Sequence, residues 1–241
     1  MTRAIVLAGG LGTRLKSAVP DVPKPMAPVN QRPFLEYLLD YWIDQGIEHF
    51  ILSVGYLHDR IIQHFGPRYK TANLEYAIES APLGTGGGFL LAAEKLRDGD
   101  PFLLLNGDTY FAVDFKKLSD YFYASNADWA FSLFHTRDTV RYLSIDVAVN
   151  GKVNALKAPP SQSSALANGG VYMVHPRALE ATVPTRLSLE EDLLPRALAK
   201  GKRLFGFEFS GAFIDIGVPD DYQRAGHIIS AGESLCSMPK N

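Results

Sequence analysis

IVLAGGLGTRLKSAVPDVPK, residues 5–24, is the most informative stretch of this sequence. It opens as a short apolar strand over residues 4–7 and then enters a turn that contains Gly9, Gly10 and Gly12. Glycines in such a turn expose backbone N–H groups and have no Cβ to block a ligand, so the turn suits phosphate groups and flat nucleobases. The stretch therefore predicts a site for a phosphate-bearing ligand.

Two charged side chains accompany the glycine turn. The Arg14 guanidinium can hold two phosphate oxygens at once, and Lys24 is a point charge on a segment stiffened by the prolines on either side of it. The pattern is not a P-loop, which ends in Gly-Lys-Ser/Thr. It is not a dinucleotide fingerprint either, because the third glycine would stand at position 15, where the chain has Leu15.

Composition and charge exclude several classes of protein. The chain has 241 residues, 46% of them hydrophobic, and a formal net charge of −2. That charge gives no global field to recruit nucleic acid, so positive charge has to be concentrated locally. The single cysteine, Cys236, excludes an intrachain disulfide, and no apolar run approaches a signal segment or a membrane span. We expect a soluble, cytoplasmic protein without nucleic-acid or membrane partners.

The first half of the chain alternates strands with helices. The predicted strands are 4–7, 50–54, 74–78 and 102–105, and the predicted helices are 33–45, 58–65 and 86–96. Residues 25–33, between the first motif and the first helix, are expected to form a proline-stiffened connector. Alternation at this spacing is typical of βαβ units and predicts a doubly wound, mostly parallel α/β sheet up to about residue 126.

The second half has strands in direct succession. They are predicted at 129–134, 144–149, 153–156, 171–174, 204–209 and 213–216, with a hairpin turn at Asn150-Gly151, a helix from Ser188 and a last helix from Pro219. The tail 237–241 is expected to fray. With no linker or repeat, we predict one domain over residues 1–241, with halves at about 1–126 and 127–230.

Three further stretches carry candidate ligand groups. PLGTGGG, residues 82–88, opens a helix shortly after a strand that ends at Glu79. LLLNGD, residues 103–108, is a buried strand that delivers Asp108 to the edge where ligands bind in open α/β sheets. Asp215 alternates with two isoleucines and so needs a partner or a cation. The alternatives are a solvated strand end for Glu79 and a turn or N-cap role for Asp108.

These motifs resemble those of sugar-1-phosphate nucleotidylyltransferases, the enzymes that make nucleotide sugars. The resemblance rests on GGLGTRL followed by Lys24, on PLGTGG, on the Asn-Gly-Asp strand end and on the DxGxPxxY pattern that begins at Asp215, and it covers residues 3–229. It implies a Rossmann-like nucleotidyltransferase fold in which residues 127–230 add a sugar-binding lobe.

The resemblance also implies roles for individual residues. Arg14 would hold the leaving pyrophosphate, and Lys24 would neutralise charge near the reacting phosphates. Asp108, the third catalytic candidate, would hold Mg²⁺ together with Asp215. Residues 82–88 would pass beneath the nucleobase, with Glu79 in reach of its edge. The candidate nucleotide-binding residues are Leu7, Ala8, Gly9, Gly10, Gly12, Thr13, Glu79, Pro82, Gly84 and Thr85.

The sugar side is less clearly defined by the resemblance. Its candidate residues are Asn106, Lys157, Asn168, Gly169 and Glu190. Asn168 and Gly169 begin an N-x-G-x-Y strand start, whereas the sequence around Glu190 is equally explained by a capping box between Ser188 and Glu191. Many relatives carry Glu-Lys-Pro before this strand, but the chain has Lys157-Ala158-Pro159-Pro160, which leaves Lys157 as a substitute for the family's lysine.

Within the family, strings such as VPDVPKPMAPV and RPFLEYLLDY are most like bacterial heptose 1-phosphate guanylyltransferases. This implies GTP and D-glycero-D-manno-heptose 1-phosphate as substrates, for surface polysaccharide synthesis. A glutamate at position 79 suits guanine, which presents two adjacent donors. The alternatives are a uridylyl- or thymidylyltransferase that acts on another sugar 1-phosphate (glucose, mannose or MurNAc 1-phosphate), an NDP-sugar-using glycosyltransferase and a non-catalytic homologue. A homo-oligomer is left open.

Overall fold

The computed structural model describes residues 2–10, 12, 15, 19–20, 22–96, 99–138, 141–142, 144–158, 165–180 and 184–236. The strands are β1 (Arg3–Leu7), β2 (Pro28–Val29), β3 (Arg32–Pro33), β4 (His49–Val54), β5 (Arg68–Tyr69), β6 (Ala72–Ile78), β7 (Phe102–Asn106), β8 (Thr109–Phe111), β9 (Trp129–Thr136), β10 (Ser144–Val147), β11 (Val153–Ala158), β12 (Ala165–Val174), β13 (Leu204–Glu208) and β14 (Phe213–Asp215). The helices are α1 (Phe34–Asp44), α2 (His58–Phe65), α3 (Gly84–Ala93), α4 (Phe115–Ala124), α5 (Leu194–Ala199) and α6 (Pro219–Cys236).

Ten of the described strands form one sheet around a parallel centre. Strands β7, β1, β4 and β6 lie side by side and parallel. The middle residues of β1 and β7, among them Ile5, Val6 and Leu104, are fully buried because helices cover both faces of a parallel sheet. Antiparallel strands flank this centre, with β5 at one edge and β12 at the other. The predicted α/β class with a mostly parallel central sheet is confirmed.

Strand β12 is the branch point of the sheet. Its second half pairs with β7, its first half contacts β10, and its other side runs along β9, which in turn pairs with β13. The register against β9 shifts between Asn168 and Tyr172. The strand predicted at 171–174 thus begins earlier, at Ala165, and Asn168 lies inside it at the irregularity rather than at its start.

Helices cover both faces of the sheet, as a doubly wound arrangement requires. On one face α1 buries Leu38 and Trp42, and α4 buries Leu118 and Phe122. On the other face α3 packs through Phe89 beside α5. These side chains recur at helical spacing of three or four residues, so each helix presents one apolar stripe to the sheet.

Several predicted boundaries are wrong by a few residues. The helix predicted at 86–96 covers 84–93, and the strand predicted at 144–149 ends at Val147. The predicted hairpin at Asn150-Gly151 is confirmed, since β10 and β11 are antiparallel and Gly151 has a φ of +81°. The tail 237–241 lies outside the described residues.

Five of the strands and helices named above were absent from the prediction, namely α4, β2, β3, β5 and β8. Helix α4 begins at a signal that was available, since the Asp114 side chain accepts a hydrogen bond from the Lys117 N–H as an N-cap. Residues 25–33 are not a plain connector, because β2 and β3 form a small hairpin whose turn residues Asn30 and Gln31 have positive φ. Strand β8 pairs antiparallel with β14. That last pairing builds the centre of the site.

Candidate active site

Two cavities meet at the carboxyl ends of the parallel strands. The larger cavity has a volume of about 520 Å³ and the smaller cavity one of about 220 Å³. Their walls share four residues, which are Asn106, Thr109, Glu190 and Asp215. This edge is where ligands bind in open α/β sheets. We call these four residues the junction.

The larger cavity gathers almost every residue predicted to bind nucleotide. Its wall also contains the predicted catalytic residues Lys24 and Asp108, and the unpredicted Ser53 and Arg186. Two predicted residues, Thr13 and Arg14, lie outside the described residues. The predicted nucleotide residues on the wall are Leu7, Ala8, Gly9, Gly10, Gly12, Glu79, Pro82, Gly84 and Thr85.

Lys24 lies between the two predicted metal ligands. Its Nζ is 2.5 Å from Asp108 Oδ2 and 3.5 Å from Asp215 Oδ1, and its side chain is only 10% exposed. The two carboxylates meet because β8 pairs with β14 in a register that sets Thr109 opposite Asp215. The Ile216 N–H also donates to the Asp108 carbonyl at 3.0 Å. Residues more than a hundred positions apart thereby share one ammonium group.

The paired carboxylates fit a divalent cation. Asp108 Oδ1 accepts a hydrogen bond from Thr109 Oγ1 at 3.3 Å, and Asp215 Oδ1 accepts one from the Gly217 N–H at 2.7 Å, so both side chains are oriented. In the described part of the chain no group of three or more His, Cys, Asp or Glu residues is placed to hold a metal. Two carboxylates completed by substrate phosphates are a normal set of ligands for Mg²⁺.

Glu79 is wedged into the larger cavity between two glycines. Its Oε2 accepts a hydrogen bond from the Leu83 N–H at 2.8 Å, and Ser53 Oγ lies 3.5 Å from Oε1. A Cβ on Gly9 or Gly88 would lie within 2.7 Å of that same Oε1. Burial raises the pKa of Glu79, although the hydrogen bonds from Leu83 and Ser53 oppose the shift. The carboxylate therefore holds residues 82–88 in place while one side faces the cavity.

The glycines of PLGTGGG have a packing role that the sequence analysis did not foresee. Residues 185–188 lie directly against the start of α3, where the Leu187 carbonyl accepts hydrogen bonds from the N–H groups of Gly86 and Gly87. A Cβ on Gly84 would come within 2.6 Å of the Leu187 carbonyl oxygen, and one on Gly87 within 2.1 Å of the Thr185 carbonyl oxygen. Protein backbone occupies the space next to these glycines, so any side chain there would displace it.

The smaller cavity gathers every residue predicted to contact the sugar. Asn106, Lys157, Asn168, Gly169 and Glu190 all lie on its wall. The Asn168 amide donates to the hydroxyl of Tyr172 and its Oδ1 accepts a hydrogen bond from the Gly170 N–H at 3.0 Å. These contacts fix the amide at the branch of β12.

Glu190 connects the two cavities. Its Oε2 accepts hydrogen bonds from Thr85 Oγ1 at 3.0 Å and from Ser188 Oγ at 3.3 Å. Thr85 Oγ1 in turn accepts one from the Leu189 N–H at 2.8 Å. One hydroxyl on α3 thus positions a carboxylate of the smaller cavity.

The capping box predicted for Ser188 and Glu191 is only half right. Ser188 is the N-cap, because its Oγ accepts a hydrogen bond from the Glu191 N–H at 3.0 Å. The side chain that returns to the Ser188 N–H is Asp192, at 2.8 Å, because residues 189–193 form a π-helical turn that shifts the returning carboxylate by one position. Glu191 pairs with Lys157 instead.

Arg141 is the main functional candidate that sequence reasoning missed. Its Nη2 donates to both Oδ2 and the backbone carbonyl of Asp215 at 3.1 Å, and its Nη1 donates to Asp221. Asp221 lies in the first turn of α6 and is buried. Arg141 belongs to no motif, and its only local signal is a turn in which Asp138 accepts a hydrogen bond from its N–H.

The fold and the site are those of an α/β protein with a pair of carboxylates beside the place where two cavities meet. A family model described as "Nucleotidyl transferase" matches residues 3–231, and the chain belongs to that family. Within the described residues, none of the helices has the length and apolar character needed to cross a membrane.

Comparison with individual proteins agrees with this assignment. The chain is 39% identical over 223 residues to a D-glycero-alpha-D-manno-heptose 1-phosphate guanylyltransferase of Aneurinibacillus thermoaerophilus, covering 92% of this chain and 96% of the relative. It is 35% identical over 221 residues to a protein of the same name from Campylobacter jejuni, covering 91% and 96%. The crystal structure of HddC from Yersinia pseudotuberculosis complexed with GMP-PN is similar, with 34% identity, a TM-score of 0.82 and coverage of 94% and 99%.

Proposed function

We propose that the protein transfers GMP from GTP to D-glycero-D-manno-heptose 1-phosphate, giving the GDP-sugar and pyrophosphate for surface polysaccharide synthesis. The observation that carries this proposal is the junction, where the two cavities share Asp215 and where Lys24 lies between Asp215 and Asp108. A nucleotide in the larger cavity and a sugar phosphate in the smaller one would bring their phosphates together at this point. The names of the relatives supply the base and the sugar.

The proposed reaction is a direct in-line transfer. An oxygen of the sugar phosphate attacks the α-phosphorus of GTP, the new P–O bond forms and the bond to pyrophosphate breaks. No protein nucleophile is needed, because positioning and charge neutralisation carry this kind of chemistry. Lys24 neutralises charge on the reacting phosphates, and Arg14 holds the departing pyrophosphate.

A divalent cation belongs to the same proposal. Members of this family generally use one, and we propose that it is Mg²⁺. Asp108 and Asp215 would hold it, and when bound it would supply positive charge to the α-phosphate oxygens. The carboxylates keep that centre at the junction because each is oriented by its own hydrogen bond.

We assign base recognition to the larger cavity and sugar recognition to the smaller one. Glu79 offers carboxylate oxygens to the two adjacent donors of guanine. Asn168 and Glu190 present an amide and a carboxylate suited to sugar hydroxyls. The division of the chain into a nucleotide half and a sugar half, and a cytoplasmic location, are parts of the same proposal.

A matrix of the four nucleoside triphosphates against several sugar 1-phosphates, followed by release of pyrophosphate, tests the proposal. We expect the highest kcat/KM for GTP with the heptose 1-phosphate. Preference for UTP or dTTP would replace the guanylyltransferase by a uridylyl- or thymidylyltransferase. Consumption of nucleotide sugars without release of pyrophosphate would identify a glycosyltransferase instead.

A further inference from the structure

We propose that Arg141 binds the phosphate group of the sugar 1-phosphate. This inference rests on the proposed function and names the residue that holds the second substrate at its reacting end. In an in-line transfer the attacking oxygen belongs to that phosphate, which must therefore lie beside the α-phosphate at the junction. The group that binds it has to be a cation on the wall of the smaller cavity and next to the junction.

Two cationic side chains among the described residues line the smaller cavity, Arg141 and Lys157. They differ in which carboxylate they contact. Lys157 pairs with Glu191, which lines neither cavity. Arg141 Nη2 lies 3.1 Å from the carboxylate of Asp215, which lines both. Of these two cations, only Arg141 is thus placed beside the junction.

Arg141 also has donors to offer. Its Nη2 makes two contacts to Asp215 and its Nη1 makes one to Asp221, which uses three of the five N–H groups of a guanidinium. Among the described residues the remaining N–H groups make no hydrogen bond. They suit phosphate oxygens, since charge-assisted hydrogen bonds from a guanidinium to phosphate are strong and directional.

The guanidinium is held in place before any substrate arrives. Asp221 is 4% exposed and is paired with Arg224 as well as with Arg141, and the ring of Tyr142 lies 4.9 Å from the Arg141 guanidinium carbon. The Arg141 side chain is 21% exposed, so it is anchored but reachable. A donor that is already ordered loses less conformational entropy when it binds a ligand.

Steady-state kinetics of Arg141→Lys and Arg141→Gln test the proposal. We expect the KM for the sugar 1-phosphate to rise about tenfold or more in both variants, because lysine lacks the planar set of donors. The KM for GTP should change by less than about twofold. Inorganic phosphate, as a competitive inhibitor against the sugar 1-phosphate, should weaken by the same factor.

Arg32→Lys is the matched control. Arg32 also bridges two carboxylates, those of Glu36 and Asp40, but it lies on neither cavity wall. The control should leave both KM values unchanged. Arg141→Lys keeps a positive charge beside the buried Asp221. Its melting temperature, compared with that of the wild type, shows whether the variant is folded under the conditions of the kinetic assay.

Three outcomes would overturn the proposal. A fall in kcat with a raised Mg²⁺ requirement and an unchanged KM for the sugar 1-phosphate would make Arg141 a positioning residue for Asp215. A larger rise in that KM for Lys157→Ala than for Arg141→Gln would place the phosphate elsewhere on the wall. If the wild type released no pyrophosphate with any substrate pair, the proposed function itself would be rejected. This outcome is distinguishable from the other two because it is measured on the wild type alone.

Discussion

The two cavities are built in different ways although they share the junction. The larger cavity is lined by runs of neighbouring residues, such as 7–10 and 84–85, at the ends of parallel strands and the start of a helix. The smaller cavity takes short runs from separate strands and a turn, among them 141–142, 156–157 and 168–170. Five glycines line the larger cavity and two line the smaller one, so backbone makes a greater contribution to the larger wall.

This difference predicts where the protein tolerates change. Four of the five glycines in the wall of the larger cavity, Gly9, Gly12, Gly84 and Gly88, abut protein atoms, so substitution there disturbs the fold as well as the ligand. Several side chains of the smaller cavity, such as Lys157 and Asn168, project from strands that are held by their own ladders, so substitution there alters contacts with less damage to the sheet. We therefore expect sugar preference to change more readily than nucleotide preference.

The largest effect should come from the junction itself. Asp108→Asn or Asp215→Asn should lower kcat by on the order of a hundredfold or more, about 3 kcal/mol, because each removes a charge from the proposed cation site. The double variant should be little worse than either single variant, since the two carboxylates act through one ion. Rates of pyrophosphate release at saturating substrate measure this. Additive losses would show that the two carboxylates have separate roles.

The next effect tests the packing of the larger cavity. Gly87→Ala places a Cβ 2.1 Å from the Thr185 carbonyl oxygen, so residues 185–188 must move, and we expect a loss of about 2–3 kcal/mol of unfolding free energy. Gly99→Ala is the control, because no heavy atom lies within 4 Å of its Cβ position. Chemical denaturation of both variants compares them. Equal unfolding free energies for Gly87→Ala and Gly99→Ala would show that residues 185–188 can move at little cost and are not a rigid part of the wall.

The sequence predicted the larger cavity better than the smaller one for a physical reason. Backbone recognition needs glycines at consecutive positions, and strand ends such as Asn106-Gly107-Asp108 are contiguous, so both leave a local pattern. The meeting of Asp108 with Asp215 depends on the pairing of β8 with β14, which no local pattern shows. Only the resemblance to a family joined the two aspartates beforehand.

Arg141 shows the limit of local reasoning most directly. It lies in a turn that contains no motif. Its guanidinium is anchored by Asp221 of α6, a residue eighty positions further along the chain. The shift from Glu191 to Asp192 at the Ser188 cap is a similar case, because a π-helical turn cannot be distinguished from an α-helical one by the spacing of three acidic residues. Long-range contacts and helix geometry decide such details.

A smaller effect, on the use of GTP alone, is expected when Glu79 in the larger cavity is changed. Glu79→Gln keeps an acceptor but turns one oxygen into an amide N–H, so one guanine donor would face a donor, at a cost of roughly 1–3 kcal/mol. The ratio of kcat/KM for GTP over UTP should fall by about tenfold, while the KM for the sugar 1-phosphate stays unchanged. The melting temperature of the variant, compared with that of the wild type, shows whether a change in the hydrogen bond between the Leu83 N–H and residue 79 has destabilised the protein. An unchanged GTP preference would assign base recognition to backbone groups of the larger cavity.

The smallest effect is expected at Lys157, on the wall of the smaller cavity. Its side chain is 50% exposed and its partner Glu191 is 56% exposed, so water screens the pair and its contribution to stability should stay below about 1 kcal/mol. For the same reason a contact from Lys157 to the sugar phosphate would be weak and dependent on salt. Lys157→Ala should raise the KM for the sugar 1-phosphate by no more than about threefold, and Glu191→Gln, which frees the lysine, should leave it equal or slightly lower. The KM of both variants is measured at low and at high ionic strength. The effect of Lys157→Ala should be smaller at high ionic strength, because salt screens an exposed ion pair but not a buried one. A tenfold rise in this KM for Lys157→Ala at both ionic strengths would contradict the prediction. It would show that Lys157, on β11, is a cation that the binding of the sugar 1-phosphate requires.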